Sequence, residues 1–346
     1  MKFDYIMKNT IKPLYCISCA AAVALFPITA FSADPVLNPN SLREQVLEQI
    51  SAIPAQAPGA ESDTPKQIAL GEKLYFDVKL SLDDTISCNT CHLVDKNQAG
   101  DDGKTISDGV GGAKGTRNSP TALNSGFLGV QFWDGRAPDL VEQAKGPILN
   151  PVEMKMPDEK SVEDKLAKDA LYPKEFAEAF PDDKPSLTFH NIARAIAAFE
   201  RTLNTKDRFD DFINGDDQAL NPDELKGLST FLSKGCATCH TGPLLGGENF
   251  YRVDLYKPYP NKTDLGRFDA TKRVSDKYKF RTAPLRNVAI TPPYFHDGKV
   301  ETLEQAVDLM GYARSKQGLS STEKQEIVAF LKTLTGKGRV KVEVQK

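Results

Sequence analysis

Cys88-Asn89-Thr90-Cys91-His92 recurs 148 residues later as Cys236-Ala237-Thr238-Cys239-His240. C-x-x-C-H is the attachment signature of a c-type haem: each thiol adds to one vinyl group of a porphyrin, and the His that follows lies beneath the iron. A bare C-x-x-C also serves as half a zinc site or as a redox disulfide. Here the trailing His recurs, and no further Cys/His cluster completes a zinc site. The pair reads as two covalently bound haem c groups on one chain.

Outward from these motifs the pattern is helical. Ile68, Leu70, Leu74 and Tyr75 fall near one face just before the first motif. Residues 161–180 and 187–204 give two further amphipathic helices. Asn221-Pro222-Asp223-Glu224 combines a cap, an N1 proline and a returning carboxylate, and it opens a helix leading into the second motif. Ser320 and Glu323 open a last helix carrying Ile327, Val328, Phe330, Leu331 and Leu334. Alternating strand patterns are scarce, and 24 Gly with 22 Pro signal many loops. The predicted fold is mainly α, with long haem-wrapping loops.

The likeness of the halves extends past the haem motifs. Arg117-Asn118-Ser119-Pro120, Asn124, Phe132-Trp133-Asp134-Gly135-Arg136, Leu140 and Glu142-Gln143-Ala144 follow the first. Arg281-Thr282-Ala283-Pro284, Asn287, Phe295-His296-Asp297-Gly298-Lys299, Leu303 and Glu304-Gln305-Ala306 follow the second, at offsets drifting only from 164 to 162. A duplicated single-haem module is the simplest account. It predicts two cytochrome c-like haem domains, 34–184 and 185–346, joined near Pro181–Pro185. The repeat breaks where Trp133 faces His296, and where Met310 and Glu153 have no counterpart of their own kind. The two haems are therefore built for different work.

Residues 1–33 read as a secretory signal, with Lys2, Lys8 and Lys12 before an uncharged run that ends in Ala30-Phe31-Ser32-Ala33. The alternative is an uncleaved anchor, since the run is long enough to span a bilayer. Export suits c-type attachment and places the protein in the periplasm. The chain has a formal charge of −3 and no basic patch, which excludes nucleic acid as a partner.

A haem with His below and Met above is saturated, and Met raises its potential. Met310 is the only methionine in the second half, so it is either that sixth ligand or core filler. Residues 93–132 contain neither His nor Met, which leaves the first iron open or water-bearing. An open haem near a carboxylate is equipped for hydrogen peroxide, because splitting O–O heterolytically moves a proton from the near oxygen to the far one. Glu153 is placed to move it and Gln143 to hold the substrate; for Glu153 the competing reading is a solvated surface carboxylate.

The residues 88–92, Arg117–Pro120, Gln131–Arg136, Glu142–Pro147, Ala283–Val288 and Pro293–Gly298 together resemble the bacterial dihaem cytochrome c peroxidases, from about Gln67 to Gly336. The resemblance implies a peroxidatic haem on Cys88, Cys91 and His92, with a high-potential haem on Cys236, Cys239, His240 and Met310. It implies that Trp133 lies between the haems as an electron route, that Gln143 and Glu153 form the distal pair, and that His296 serves electron entry near the second haem. It further implies a calcium ion held by Asn118 and by main-chain oxygens of Thr291 and Pro293, a donor set suited to a hard cation. Monohaem cytochrome c or cupredoxin donors and a homodimer are implied as well. Many members carry a capping His where this chain has Val110, so the first iron is expected to be open without reductive activation. Two alternatives remain: a dihaem relative oxidising side chains of a partner protein, in which Tyr is expected above the second iron, and a dihaem electron carrier with both irons saturated.

Overall fold

The computed structural model describes residues 37–95 and 99–336. The signal segment at 1–33 lies outside the described residues. Those described are mostly helical: twelve α-helices and a single two-stranded antiparallel pair, Phe250–Tyr251 with Phe280–Arg281. None of these helices is long and apolar enough to cross a membrane.

Local rules account for the helix ends. Asn221 and Ser320 each close a reciprocal capping box, with Glu224 and Glu323 respectively, as their spacing predicts. Thr64 does the same with Gln67 for the helix Pro65–Phe76. The stretch 161–180 is two helices, Glu159–Ala167 and Tyr172–Ala179, rather than one. Asp169 captures the Leu171 N–H at 2.9 Å with its side chain, and Pro173 has no N–H to continue the ladder, so the chain restarts there.

Two hydrophobic cores form. The first gathers Leu70, Leu74, Ile148, Val162, Phe176, Ile192 and Phe199. The second gathers Val46, Phe209, Leu228, Val307, Phe330 and Leu331, so the early helix Pro39–Leu47 packs with the later half of the chain. Each core is built on one close helix crossing at a glycine. A Cβ on Gly71 would lie 1.8 Å from the Ala195 carbonyl oxygen and 3.0 Å from the Phe199 Cβ. A Cβ on Gly227 would lie 2.0 Å from the Glu326 carbonyl oxygen and 3.0 Å from the Phe330 Cβ. Only a residue without a side chain lets these backbones approach so closely.

The matched turns share unusual backbone. Asn124 and Asn287 have φ of 61° and 64°, and Phe132 and Phe295 have φ of 67° and 69°. Gly135 and Gly298 follow at 67° and 60°, and the flanking bridges Gln131 to Ala137 and Tyr294 to Val300 close both turns alike. The helices after them, Leu140–Leu149 and Leu303–Arg314, start from caps at Asp139 and Thr302. That cap register pairs Gln143 with Ala306, one residue away from the pairing suggested by Glu-Gln-Ala.

Candidate haem cavity

Ser87 opens the first motif by closing a capping box with Thr90, and the resulting single turn Cys88–Cys91 brings both thiols to one wall. The Tyr75 hydroxyl donates to the His92 carbonyl oxygen at 2.8 Å, tying the motif to the core helix before it. The His92 Nδ1 lies 2.9 Å from the Pro120 carbonyl oxygen. A carbonyl only accepts, so Nδ1 carries the proton and Nε2 keeps its lone pair. Burial also lowers the His92 pKa, which keeps the ring neutral. His240 is arranged alike, with Nδ1 2.9 Å from the Leu245 carbonyl oxygen and burial again lowering its pKa. A neutral imidazole oriented through its other nitrogen is what a metal-ligating His requires.

His92, Cys88 and Cys91 line a cavity whose empty space is about 1360 Å³ counted out to open solvent. Its lining is mostly apolar, with Ile86, Leu128, Leu140, Ile148 and Ile196 among a few polar groups, which suits a flat, largely apolar guest. Burial pushes the Cys91 thiol up to about 11 and raises Cys88 further. Sulfurs in such a wall are best accommodated uncharged, as thioethers are. The cavity also holds three buried polar atoms without hydrogen-bond partners: Ser125 Oγ, a Glu200 carboxyl oxygen and an Arg281 guanidinium nitrogen. A wholly apolar guest would leave all three unsatisfied. A porphyrin, apolar in its body and carboxylate at its edge, fits.

The same cavity collects Trp133, Gln143 and Glu153. Gln143, Ala144, Pro147 and Ile148 line it from one face of the helix Leu140–Leu149. Beyond that helix a turn returns Glu153 to the cavity, its N–H donating to the Asn150 carbonyl oxygen at 3.0 Å. The Asn150 side-chain amide donates to Glu153 Oε1 at 2.7 Å. Burial raises the Glu153 pKa above the ordinary value, against the Arg136 charge and the Asn150 hydrogen bond, which lower it. Glu153 is thus a half-buried cavity carboxyl and not a solvated surface one.

The Trp133 indole N–H donates to the Asn118 carbonyl oxygen at 2.9 Å, and the Asn118 N–H donates to the His296 carbonyl oxygen at 2.8 Å. The backbone of one residue, Asn118, therefore bonds both to the Trp133 indole and to the His296 main chain. His296 is buried, with its ring stacked on Phe280 at 3.8 Å. Val110 is buried, and its N–H donates to the Glu153 carbonyl oxygen at 2.8 Å. Gly109 beside it leaves no room for a side chain, since a Cβ there would lie 2.2 Å from the Val152 carbonyl oxygen. The loop is thereby fastened to the backbone of the cavity carboxylate.

Cys236, Cys239 and His240 lie together at a single turn after the helix Pro222–Ser233. Met310 sits on the helix Leu303–Arg314, one turn before Arg314, whose guanidinium approaches Gly235 next to Cys236. Side chains four apart share a helix face, so Met310 lies on the same face of this helix as Arg314. Asn118 donates through its side-chain amide to the Lys104 carbonyl oxygen at 2.8 Å. Thr291 and Pro293 flank a turn with a cis bond between Pro292 and Pro293. No group of three or more His, Cys, Asp or Glu side chains able to hold a metal ion occurs among the described residues.

Sequence reasoning missed Ser125, Glu200 and Arg281, and it missed that Met154 also reaches the cavity wall from the first core. The repeat carried a usable signal for Arg281, the counterpart of Arg117, which lines the same cavity.

Comparison with known proteins agrees with this construction. The model of the di-haem cytochrome c peroxidase family matches residues 65–218. The chain is 44% identical to the cytochrome c551 peroxidase of Pseudomonas aeruginosa, over 88% of this chain and 89% of that one. It is 45% identical to the cytochrome c551 peroxidase of Nitrosomonas europaea, over 77% and 79% of the two chains. Among solved structures it is similar to a MauG-like protein associated with microbial copper homeostasis, with a TM-score of 0.73 and 31% identity over 82% of this chain and 93% of that one. With two haem attachment motifs and relatives this similar along most of its length, the chain belongs to the di-haem cytochrome c peroxidase family.

Proposed function

We propose that the cavity at Cys88–His92 is where hydrogen peroxide is reduced to water, in a chain whose family makes it a dihaem cytochrome c peroxidase carrying haem c. One observation carries this reading: a haem-attachment turn, an oriented neutral His92, Gln143 and a half-buried Glu153 share one cavity. When bound, the haem supplies a Lewis-acidic iron that exchanges single electrons. The chain's own residues do the rest. Asn150 holds Glu153 Oε1, which leaves Oε2 to take the proton from the near oxygen of peroxide and return it to the far one. The Gln143 amide orients the substrate. Two electrons and two protons complete the conversion of one peroxide to two waters.

The second haem, on Cys236, Cys239, His240 and Met310, is proposed as the electron-transferring group, with Trp133 as the route between haems and His296 near the point of entry. The Asn118 backbone, whose carbonyl accepts from the Trp133 indole and whose N–H donates to the His296 carbonyl, supports that route. Small monohaem cytochromes c or cupredoxins are the proposed donors, the periplasm the proposed location and a homodimer the proposed assembly. A calcium ion on Asn118, Thr291 and Pro293 rests on the resemblance; calorimetric titration of the chelated protein with calcium, repeated on Asn118→Ala, tests it. Two haem modules related by duplication are supported by the two glycine-centred helix crossings and the matched turns. The helix Phe189–Glu200 packs on the first core, which favours a join after Leu203 rather than at residue 185.

The first iron is proposed to be open in the oxidised protein. Supporting this, Val110 stands where a capping His would, and His92 is the one histidine lining the cavity among the described residues. A wholly low-spin first haem in the oxidised protein would overturn it. Stopped-flow mixing with peroxide and reduced donor tests the main reading, and absence of turnover with either donor class, before or after prereduction, would defeat it.

A further inference from the structure

We propose that Arg281, with Ser125, forms the carboxylate-binding pole for the porphyrin attached at Cys88 and Cys91, so that the second half of the chain supplies the cavity's carboxylate-free positive charge. This rests on the reading of the cavity as a haem site.

Arg281 is 3% exposed and lines the cavity. Its Nε donates to the Phe132 carbonyl oxygen at 3.1 Å, while Nη1 has no partner. No carboxylate of the described residues shifts its pKa; burial alone acts, bringing it down to about 10, which still leaves it charged at neutral pH. Its repeat counterpart Arg117 shows the contrast. That guanidinium is paired with Asp134 at 2.6 Å and with Asp264 at 2.7 Å. A buried cation without an anion is costly, and a desolvated guanidinium nitrogen facing a cavity calls for one.

Ser125 and Glu200 stand on the same wall. Gly126, next to Ser125, lies against Arg201, next to Glu200. Leu128 and the Arg281 Nη1 both border Gly247, which joins this wall to Arg281. Ser125 Oγ and one Glu200 oxygen are likewise unpartnered. Glu200 stands apart from this pole: it and Arg281 leave each other's electrostatics untouched, and its charge acts on the Cys88 thiol instead. The pole thus offers one charged fork and one hydroxyl to the propionates.

The experiment uses the full-length holoprotein with Arg281→Met and Arg281→Lys, read by spectroelectrochemical titration and by resonance Raman of the propionate bending modes. A unit charge at the edge of the macrocycle, roughly 10 Å from the metal through an effective dielectric near 20, is worth about a tenfold change in the reduction equilibrium. In Arg281→Met the first haem is expected to become about tenfold harder to reduce, about 59 mV for one electron, with altered propionate bands and an unmoved second haem. Arg281→Lys keeps the charge and restores the potential, while the bands stay altered because the fork is gone. Wild-type values of both readouts in an Arg281→Met protein carrying two haems overturn the proposal. If that variant does not assemble, Ser125→Ala replaces it: altered propionate bands are expected, and unchanged bands overturn the proposal. Haem counting is separate, for if Cys88→Ala/Cys91→Ala retains two haems, the cavity reading itself fails.

Discussion

Replacing Glu153 by Gln keeps the shape of the residue and a carbonyl oxygen for Asn150, yet removes the group that can move a proton. Positioned general acid–base groups contribute roughly 10²–10⁴ in rate. At 1.36 kcal/mol per decade, Glu153→Gln should raise the barrier by about 3–5 kcal/mol. The pH profile makes the prediction sharper. Proton abstraction needs the carboxylate, and burial raises the Glu153 pKa, so activity should rise with pH through that raised value and fall below it. The Asn150 amide acts in the opposite direction by donating to the carboxylate at 2.7 Å. A hydrogen bond to a charged group is worth roughly 1.5–3 kcal/mol. Taking the low end for a half-buried group, Asn150→Ala should tilt the equilibrium about tenfold toward the neutral acid and move the acid limb to higher pH. Glu153→Gln should abolish the limb. The assay is steady-state donor oxidation by peroxide across the acid range, with haem spectra confirming an intact site. An acid limb that survives in Glu153→Gln at near wild-type rate would refute the reasoning.

The two helix crossings give a matched pair of stability predictions. Gly71→Ala and Gly227→Ala each drive a methyl into a backbone carbonyl, and each should cost at least about 1–3 kcal/mol, read as a lowered thermal midpoint. Arg286 is 1% exposed and bridges Asp207 at 2.6 Å and Asp210 at 2.9 Å beneath the second core. Arg286→Leu strands two buried carboxylates and should cost about 3–5 kcal/mol in denaturant unfolding. Met310→Leu should lower the potential of the second haem and leave the first in place, because a thioether ligand raises the potential it binds. An unmoved second potential would assign Met310 to packing.

What the sequence discloses here follows from how local each signal is. The haem motifs and helix caps are written within five residues, so Cys88–His92, Asn221–Glu224 and Ser320–Glu323 read directly. Gln143 and Glu153 reach one cavity because Leu140–Leu149 is one helix and the following turn is closed by its own backbone. The break at 168–171 was missed because hydrophobic period continues across it, while a side chain of Asp169 ends the ladder. Arg281 and Glu200 were illegible for another reason. Their meaning lies in lacking a partner, and that becomes visible only when three chain segments meet at one wall.

The repeated turn explains how one scaffold can serve two haems differently. Phe132–Gly135 and Phe295–Gly298 hold the same strained backbone, with a left-handed aromatic residue first and a left-handed glycine last. Nearby, Asp134 accepts from Arg117 and Arg136, whereas Asp297 accepts from the Tyr259 hydroxyl at 2.6 Å and from Asn261 at 3.1 Å. The backbone therefore fixes where the second residue of each turn stands, and its neighbours are free to differ. Trp133 fills that place in one half and His296 in the other, and the backbone N–H and carbonyl of Asn118 bond to both. The side chains differ at a position whose backbone geometry the two turns share. At this position the residues that tell the halves apart are also the ones whose hydrogen bonds meet at Asn118.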